Sequence, residues 1–206
     1  MSKEQVRKIK ADMAREGIDM TSNQATYYLM EKMKRVGSIQ KASILKHGDS
    51  PRMIDEGSFY YFSYRPKGRE KLPYYDLYPL VYVMNRQEGG EKFLAVNFHY
   101  LDFRYRAWFI NSMLKYATTK EWDKDPEAFL TLFQNAGYPT FKGKPSLRFY
   151  KPAIKSYRYD CISSPVNRVP PSDWKTVLFM PLEAFVGKTA FEVQTLSRKI
   201  IESRKK

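Results

Sequence analysis

Cysteine and histidine are nearly missing from this chain of 206 residues. Cys161 is the only cysteine, and His47 and His99 are the only histidines. A single thiol excludes an intramolecular disulfide, which fits a reducing compartment or a particle assembled inside a cell. Two isolated histidines without partners at ligand spacing do not make a standard zinc site. We therefore predict no metal, and we interpret His99, at the end of an apolar run, as a hydrogen-bonded core residue.

Long apolar runs are also missing. No stretch approaches the roughly 18 consecutive apolar residues that a membrane-spanning helix needs. The first eight residues, MSKEQVRK, lack the apolar segment of a secretion signal. We therefore expect a soluble protein that is made in the cytoplasm and has no membrane partner.

Catalytic and nucleotide-binding motifs are incomplete. The sequence Gly187-Lys-Thr189 ends like a phosphate loop, but Leu182 stands where that motif needs its first glycine. A metal-dependent nuclease would pair an acidic residue with a nearby Glu-x-Lys sequence. Asp76, Glu91 and Lys92 lie near such a pattern with the wrong spacing. We predict a protein that is not an enzyme and has no cofactor, and we keep a nuclease as a hypothesis that changing Asp76 or Glu91 would test.

Positive charge and tyrosine are what the chain has in excess. The net charge is +14, and residues 141–206 alone carry 14 basic and 5 acidic side chains. Such a field attracts nucleic acid, acidic proteins or other anionic surfaces without choosing among them. The 16 tyrosines suit either protein interfaces or a β-rich core. Binding, rather than catalysis, is therefore the predicted activity.

Basic and aromatic residues alternate between positions 142 and 158. Basic groups that follow phosphates, beside rings that stack on bases, commonly hold single-stranded nucleic acid. A strand with an aromatic inner face and a charged outer face produces the same alternation, so both interpretations stay open. The candidate contacts for nucleic acid or a protein partner are Lys142, Lys144, Arg148, Lys151, Lys155 and Arg158.

Hydrophobic periodicity predicts an α+β fold. A narrow apolar stripe that ends at Gly17 predicts a first helix, and Thr189 and Glu192 predict a capping box at the start of the last one. Further helices are expected over 22–36, from Asp102 to about 117, and over 126–136. Strands are expected over 58–64, 78–84, 93–100, 153–162 and 174–180, with an irregular loop over 163–172.

This order predicts a small curved antiparallel sheet with a helical insertion and flanking N- and C-terminal helices. An SH3-like barrel is one form that such a sheet can take. We divide the chain into a helical N-terminal arm over 1–50, an α+β core over 51–187, and a C-terminal helix with a basic tail over 188–206.

Several segments of the central region together form a familiar pattern. It runs Leu72-Pro-Tyr-Tyr-Asp76, then Asn97-Phe-His-Tyr-Leu101, then Arg104-Tyr-Arg-Ala107, and is followed by the segment Trp174–Phe185. Over residues 57–185 it resembles virion structural proteins of large contractile-tailed bacteriophages. Such relatives often have Gly-Leu-Asn-Leu-His-Tyr-Leu and then proline, where this chain has Ala95-Val-Asn-Phe-His-Tyr-Leu-Asp102. The difference is conservative for strand packing.

The resemblance implies a structural subunit of the virion, assembled in the host cytoplasm and located in the tail or baseplate. Its partners would be other virion proteins, and it would be present in multiple copies in a symmetric assembly. A nucleic-acid-binding protein at the portal or genome end, acting through the basic aromatic stretch, is the alternative that the residues themselves leave open.

Overall fold

The computed structural model describes residues 8, 11–18, 23–34, 49–86, 89–116, 150–170 and 173–203. The predicted helix over 126–136 and the candidate residues Lys142, Lys144 and Arg148 lie outside the described residues. Within the described ranges, no helix combines the length and the apolar character that crossing a membrane requires.

A run of four strands is followed by helices and further strands, which is the mixed order of an α+β fold. The strands are β1 (Phe59–Tyr61), β2 (Tyr75–Asp76), β3 (Leu80–Arg86), β4 (Lys92–Asn97), β5 (Ile154–Arg158), β6 (Asn167–Val169) and β7 (Phe185–Val186). The helices are α1 (Asn23–Lys34), α2 (Phe103–Tyr116), α3 (Trp174–Leu178) and α4 (Ala190–Ser203). Residues 11–15 are also helical, and Gly17 follows them with a φ of 66°.

Five strands form one antiparallel sheet in the order β5-β4-β3-β1-β6, and β2 pairs with β7 in a separate ladder. The large sheet is strongly curved, because Tyr64 beyond β1 forms a bridge with Ile162 beyond β5. Its edges β5 and β6 do not pair with each other, so the described strands form no closed barrel. The mixed fold and the antiparallel sheet are therefore confirmed, and the SH3-like barrel is not.

Both faces of the sheet are buried. Phe59 and Tyr61 of β1 point into one apolar cluster, whereas Tyr60 between them points into the other, as the two-residue period of a strand dictates. The first cluster also contains Met13 near the N-terminus and Val193 of α4. Residues from both predicted flanking segments thus pack on the sheet, and the proposed domain boundaries stay a prediction.

Predicted helix starts agree with the structure. The Asp102 side chain accepts hydrogen bonds from the backbone N–H groups of Arg104 and Tyr105, at 3.1 and 3.3 Å. The capping box of α4 is also present, because the Glu192 carboxylate accepts from the Thr189 backbone N–H at 2.8 Å, and the Thr189 hydroxyl accepts from the Glu192 N–H. These bonds satisfy backbone donors that a helix start otherwise leaves unpaired.

Two sequence predictions are wrong. The segment predicted as a strand over 174–180 contains the helix α3, because Trp174 and Leu178, four residues apart, both face the core. The indole N–H of Trp174 donates to the carbonyl of Val169 at 2.9 Å. The predicted loop over 163–172 contains β6. Its short polar sequence carries no strand pattern, and it forms a strand because it pairs with β1.

Candidate nucleic-acid interface

The residues of the shared phage-virion pattern meet inside the protein. Asp76 ends β2, Asn97 ends β4, and His99 lies in the short 3-10 helix that follows. The Nδ1 atom of His99 lies 2.7 Å from a carboxylate oxygen of Asp76, and the Asn97 amide donates to the same oxygen at 3.0 Å. The Asn97 amide also donates to the Tyr157 hydroxyl at 3.0 Å. The prediction of His99 as a hydrogen-bonded core residue is confirmed.

A second buried pair involves Arg106 of α2. Its side chain is fully buried and donates to the carbonyls of Leu101 at 2.8 Å and Leu178 at 2.9 Å, and to the Glu183 carboxylate. Burial acts to raise the pKa of Glu183, but the positive charge of Arg106 and the electrostatic interaction with His99 hold it below its ordinary value. We call the groups around Asp76 and Arg106 the buried polar network. It joins α2 to the segments around β2 and β7.

The nuclease hypothesis placed Asp76 beside Glu91 and Lys92. Asp76 binds Asn97 at one end of β4, whereas Glu91 and Lys92 lie at the other end. At about 3.3 Å per residue, that strand separates them by on the order of 20 Å. Within the described residues, no group of three or more His, Cys, Asp or Glu side chains could hold a metal ion. The structure therefore does not bring these three residues into one site.

The described members of the predicted basic stretch occupy three different environments. Lys151 is exposed. Lys155 lies over the ring of Tyr100, with its Nζ atom 4.2 Å from the centroid, and burial lowers the pKa of its amine. Arg158 donates twice to Asp160, each time at 2.9 Å, and lies 3.7 Å from Glu91. Of these three, only Lys151 presents to solvent a charge that no described residue pairs with.

The aromatic members of the same stretch face the interior. Tyr157 stacks on Phe93 with ring centroids 5.4 Å apart, and Tyr150 packs edge-on against Phe109 at 5.3 Å. Both tyrosines are buried. In the described part of this stretch, the rings are thus unavailable for stacking on bases, and the pattern is that of a strand with an aromatic inner face.

An exposed loop that the sequence analysis did not single out carries more free charge. Residues 65–71, with the sequence RPKGREK, hold four basic side chains and one acidic one, all exposed. We call this segment the basic loop. The backbone N–H of Arg65 donates to the Cys161 carbonyl at 2.9 Å, and the Lys67 amine donates to Asp160 at 2.7 Å. The signal that could have revealed it is four cations within seven residues around Pro66 and Gly68.

A pocket of about 600 Å³ is lined in part by Asp160. Its lining combines two arginines with polar and small residues. They are Ser50, Pro51, Arg52, Arg86, Gly90, Tyr159 and Asp160. We call the basic loop and this pocket together the loop–pocket surface. The two parts are adjacent because Asp160 lines the pocket and binds Lys67 of the loop.

Cations and anions are unequally paired on the loop–pocket surface. Asp160 is held by Arg158 and Lys67, which keep the pKa of its carboxyl well below the usual range. Within the described part of the chain, Arg52 and Arg86 form no salt bridge, although both side chains are exposed. The backbone N–H of Arg86, rather than its guanidinium, donates to Glu56, at 2.6 Å. The guanidinium groups of Arg52 and Arg86 therefore line the pocket without a salt bridge to a described carboxylate, and that of Arg86 interacts with the Tyr159 hydroxyl.

A sheet braced by a buried polar network, with cations on its surface that form no salt bridge among the described residues, defines a basic α+β domain. The chain belongs to the family described as phage T4 terminal DNA protecting protein, whose model matches residues 5–200. No curated protein and no solved structure matches the chain. The family match includes the N-terminal segment that the earlier resemblance left out.

Family membership supports the prediction of a bacteriophage protein associated with the virion. It does not specifically support a place in the tail or baseplate. Between the two functions left open by the sequence, it agrees better with nucleic-acid binding than with the structural role.

Proposed function

We propose that this protein binds the ends of phage DNA and shields them, and that its basic surface supplies the contacts. The observation that carries the proposal is the match of residues 5–200 to a family described as terminal DNA protecting. The net charge of +14 agrees with it, because cations that neutralise phosphates release counterions and so drive association with DNA.

Protection of this kind needs no catalytic group. A DNA end covered by protein is inaccessible to an exonuclease, whatever the chemistry of that enzyme. The protein is accordingly proposed to be a binding protein and not an enzyme. Its affinity should fall steeply with salt, with a slope of log affinity against log salt of about −0.9 for each phosphate contacted on duplex DNA.

The test compares DNA of one sequence with and without free ends. A short linear duplex and the same duplex closed at both ends by hairpin loops are titrated at 50 and 200 mM salt. We expect tighter binding to the linear form at both salt concentrations, and slower digestion of that form by an added exonuclease. Equal binding to the two forms, with no protection, would overturn the proposal.

A structural role in the tail or baseplate is a second candidate, supported by exposed apolar side chains on α4. Phe191 is 75% exposed, and Leu196 and Ile200 are 37% and 42% exposed. Apolar side chains left open in this way suit a protein partner, such as another virion protein or a neighbouring copy. Cross-linking in assembled virions tests this role. Cross-links to tail or baseplate proteins support it, and cross-links confined to the genome end argue against it.

A further inference from the structure

Arg52 and Arg86 come from different parts of the fold and line the same pocket. Arg52 lies in a 3-10 helix before β1, and Arg86 ends β3 just before the turn at Gly89 and Gly90. Neither guanidinium is paired with a carboxylate of the described residues. An arginine fork matches two oxygens of a phosphate group and is less strongly hydrated than an ammonium. The pocket therefore offers two forks suited to a phosphate.

The acidic group of the pocket does not cancel these charges. Asp160 accepts two hydrogen bonds from Arg158 and one from Lys67, so its negative charge is already shared by two cations outside the pocket lining. The lining itself holds two arginines and one aspartate. A positive balance therefore remains inside the pocket after Asp160 is taken into account.

Uncharged donors complete the lining. The Ser50 hydroxyl accepts weakly from the backbone N–H of Arg52 at 3.4 Å, and its own proton stays free to be donated. The Tyr159 ring packs against Phe93 with ring centroids 5.1 Å apart, and its hydroxyl interacts with the Arg86 side chain at the pocket wall.

We propose that this pocket binds the terminal phosphate of a DNA strand, and that the basic loop contacts the phosphates that follow it. The proposal rests on the proposed function and deepens it. A terminal phosphate carries up to two negative charges and three free oxygens, whereas a phosphate within the strand carries one charge and two. Two arginine forks and a hydroxyl therefore match the terminal group better than an internal one.

The dimensions agree with this ligand. Ligand pockets span about 300–1,000 Å³, so a pocket of about 600 Å³ can admit the last nucleotide together with its phosphate. The basic loop begins beside Asp160, at the edge of the pocket, and adds the exposed side chains of Arg65, Arg69 and Lys71. Internal phosphates leading away from the end would meet these cations in turn.

The experiment uses a duplex with one end closed by a hairpin loop and the other end blunt. The blunt end carries a 5′-phosphate, a 3′-phosphate or hydroxyls only, and binding of the full chain is followed by fluorescence anisotropy. We expect one of the phosphorylated ends to bind about tenfold more tightly than the hydroxyl end, as hydrogen bonds to a charged group allow. Equal affinity for all three ends, with a free end still preferred over a closed one, would overturn this inference alone. Loss of the preference for free ends would overturn the proposed function itself.

Variants assign the preference to the pocket. Arg86→Gln and Arg52→Gln should remove the preference for the phosphorylated end, and Arg86→Lys should restore part of it because the charge returns without the fork. Lys199→Gln on α4 removes the same charge from an exposed site and should keep the preference. Melting temperatures within about 2 °C of the unchanged protein show that the variants fold. A preference that survives both glutamine variants would contradict the assignment.

Inorganic phosphate separates a DNA end from a free anion. If phosphate alone stabilises the protein against heat, the stabilisation is lost in Arg86→Gln, and phosphorylated ends also bind more tightly, the terminal-phosphate assignment is supported. If phosphate stabilises the protein while all three DNA ends bind equally, the pocket is a site for free phosphate and the proposal is wrong.

Discussion

The buried polar network and the loop–pocket surface are both rich in charged side chains, but they differ in whether those side chains have partners within the protein. In the network, Arg106 donates to Glu183 and to two carbonyls, and Asp76 accepts from Asn97 and lies within hydrogen-bond distance of His99. On the surface, Arg52 and Arg86 have no salt-bridge partner among the described residues. The first arrangement holds segments of the protein together, whereas the second leaves its charges available to an external anion.

This difference shows that the residues of a recognisable sequence pattern need not form a binding site. The side chains of Asp76, Asn97, His99 and Arg106 lie in the interior, whereas Arg104 of the same pattern is 51% exposed. A buried charge without a partner costs several kcal/mol, so each of the buried positions constrains its neighbours strongly. The exposed cations face no such constraint, and nothing local marks them as functional.

The largest effect should come from breaking the network at Arg106. Arg106→Leu leaves the Glu183 carboxylate and two carbonyls without their donor, and we expect the free energy of unfolding to fall by about 3–5 kcal/mol. Urea denaturation measures this loss. Arg104→Leu is the control, because Arg104 is 51% exposed and forms a solvent-exposed ion pair with Glu202 at 3.6 Å. Losing such a pair should change the free energy of unfolding by about 0.5 kcal/mol or less. Similar losses in the two variants would contradict the role given to Arg106.

A smaller loss is expected from Asp76→Asn. The change keeps the shape of the side chain but removes the charge that binds His99 and Asn97, which should cost about 1–3 kcal/mol. Asp55→Asn is the matched control, because Asp55 is exposed and, among the described residues, its backbone N–H rather than its carboxylate forms a hydrogen bond, to the Tyr60 hydroxyl. If both variants unfold at the same urea concentration as the unchanged protein, the carboxylate of Asp76 is not a stabilising centre.

Acid should weaken the network through Glu183. The pKa of this carboxyl is held below its ordinary value in the folded state, so the unfolded chain binds a proton more readily. Its contribution to stability is therefore complete above the unfolded pKa of about 4.3 and is lost as the pH falls through the lower folded pKa. Between about pH 5 and about pH 3, the free energy of unfolding should fall less in Glu183→Gln than in the unchanged protein. An identical pH dependence would contradict this prediction.

Substitutions in the basic loop should have the smallest effect on stability. They should nevertheless change DNA binding clearly. Arg69→Gln should change the free energy of unfolding by about 0.5 kcal/mol or less. It should also make the salt dependence of DNA binding shallower by about one unit of slope, because one phosphate contact is lost. Glu70→Gln in the same loop should have the opposite sign and strengthen binding. Unchanged binding in both variants would show that the loop is only a solvated surface.

Local patterns predicted much of the fold and little of the candidate site. The caps at Asp102 and Thr189 could be predicted because a helix start depends on residues within one turn. The strand positions were also well placed, although the last three residues of the strand predicted over 93–100 form a 3-10 helix. The helix α3 was missed because a short apolar run fits a strand or a buried helix equally well.

The α+β class, the lack of an intramolecular disulfide, the excess of positive charge and the alternation that buries both faces of the sheet all follow from composition and local periodicity. Which charges are neutralised depends instead on how the chain folds. Asp76 meets His99 across 23 positions, Arg106 meets Glu183 across 77, and Lys67 meets Asp160 across 93. The pocket likewise combines residues near positions 50, 86 and 159. Helix and strand patterns act over a few residues, whereas these pairings depend on the path of the whole chain.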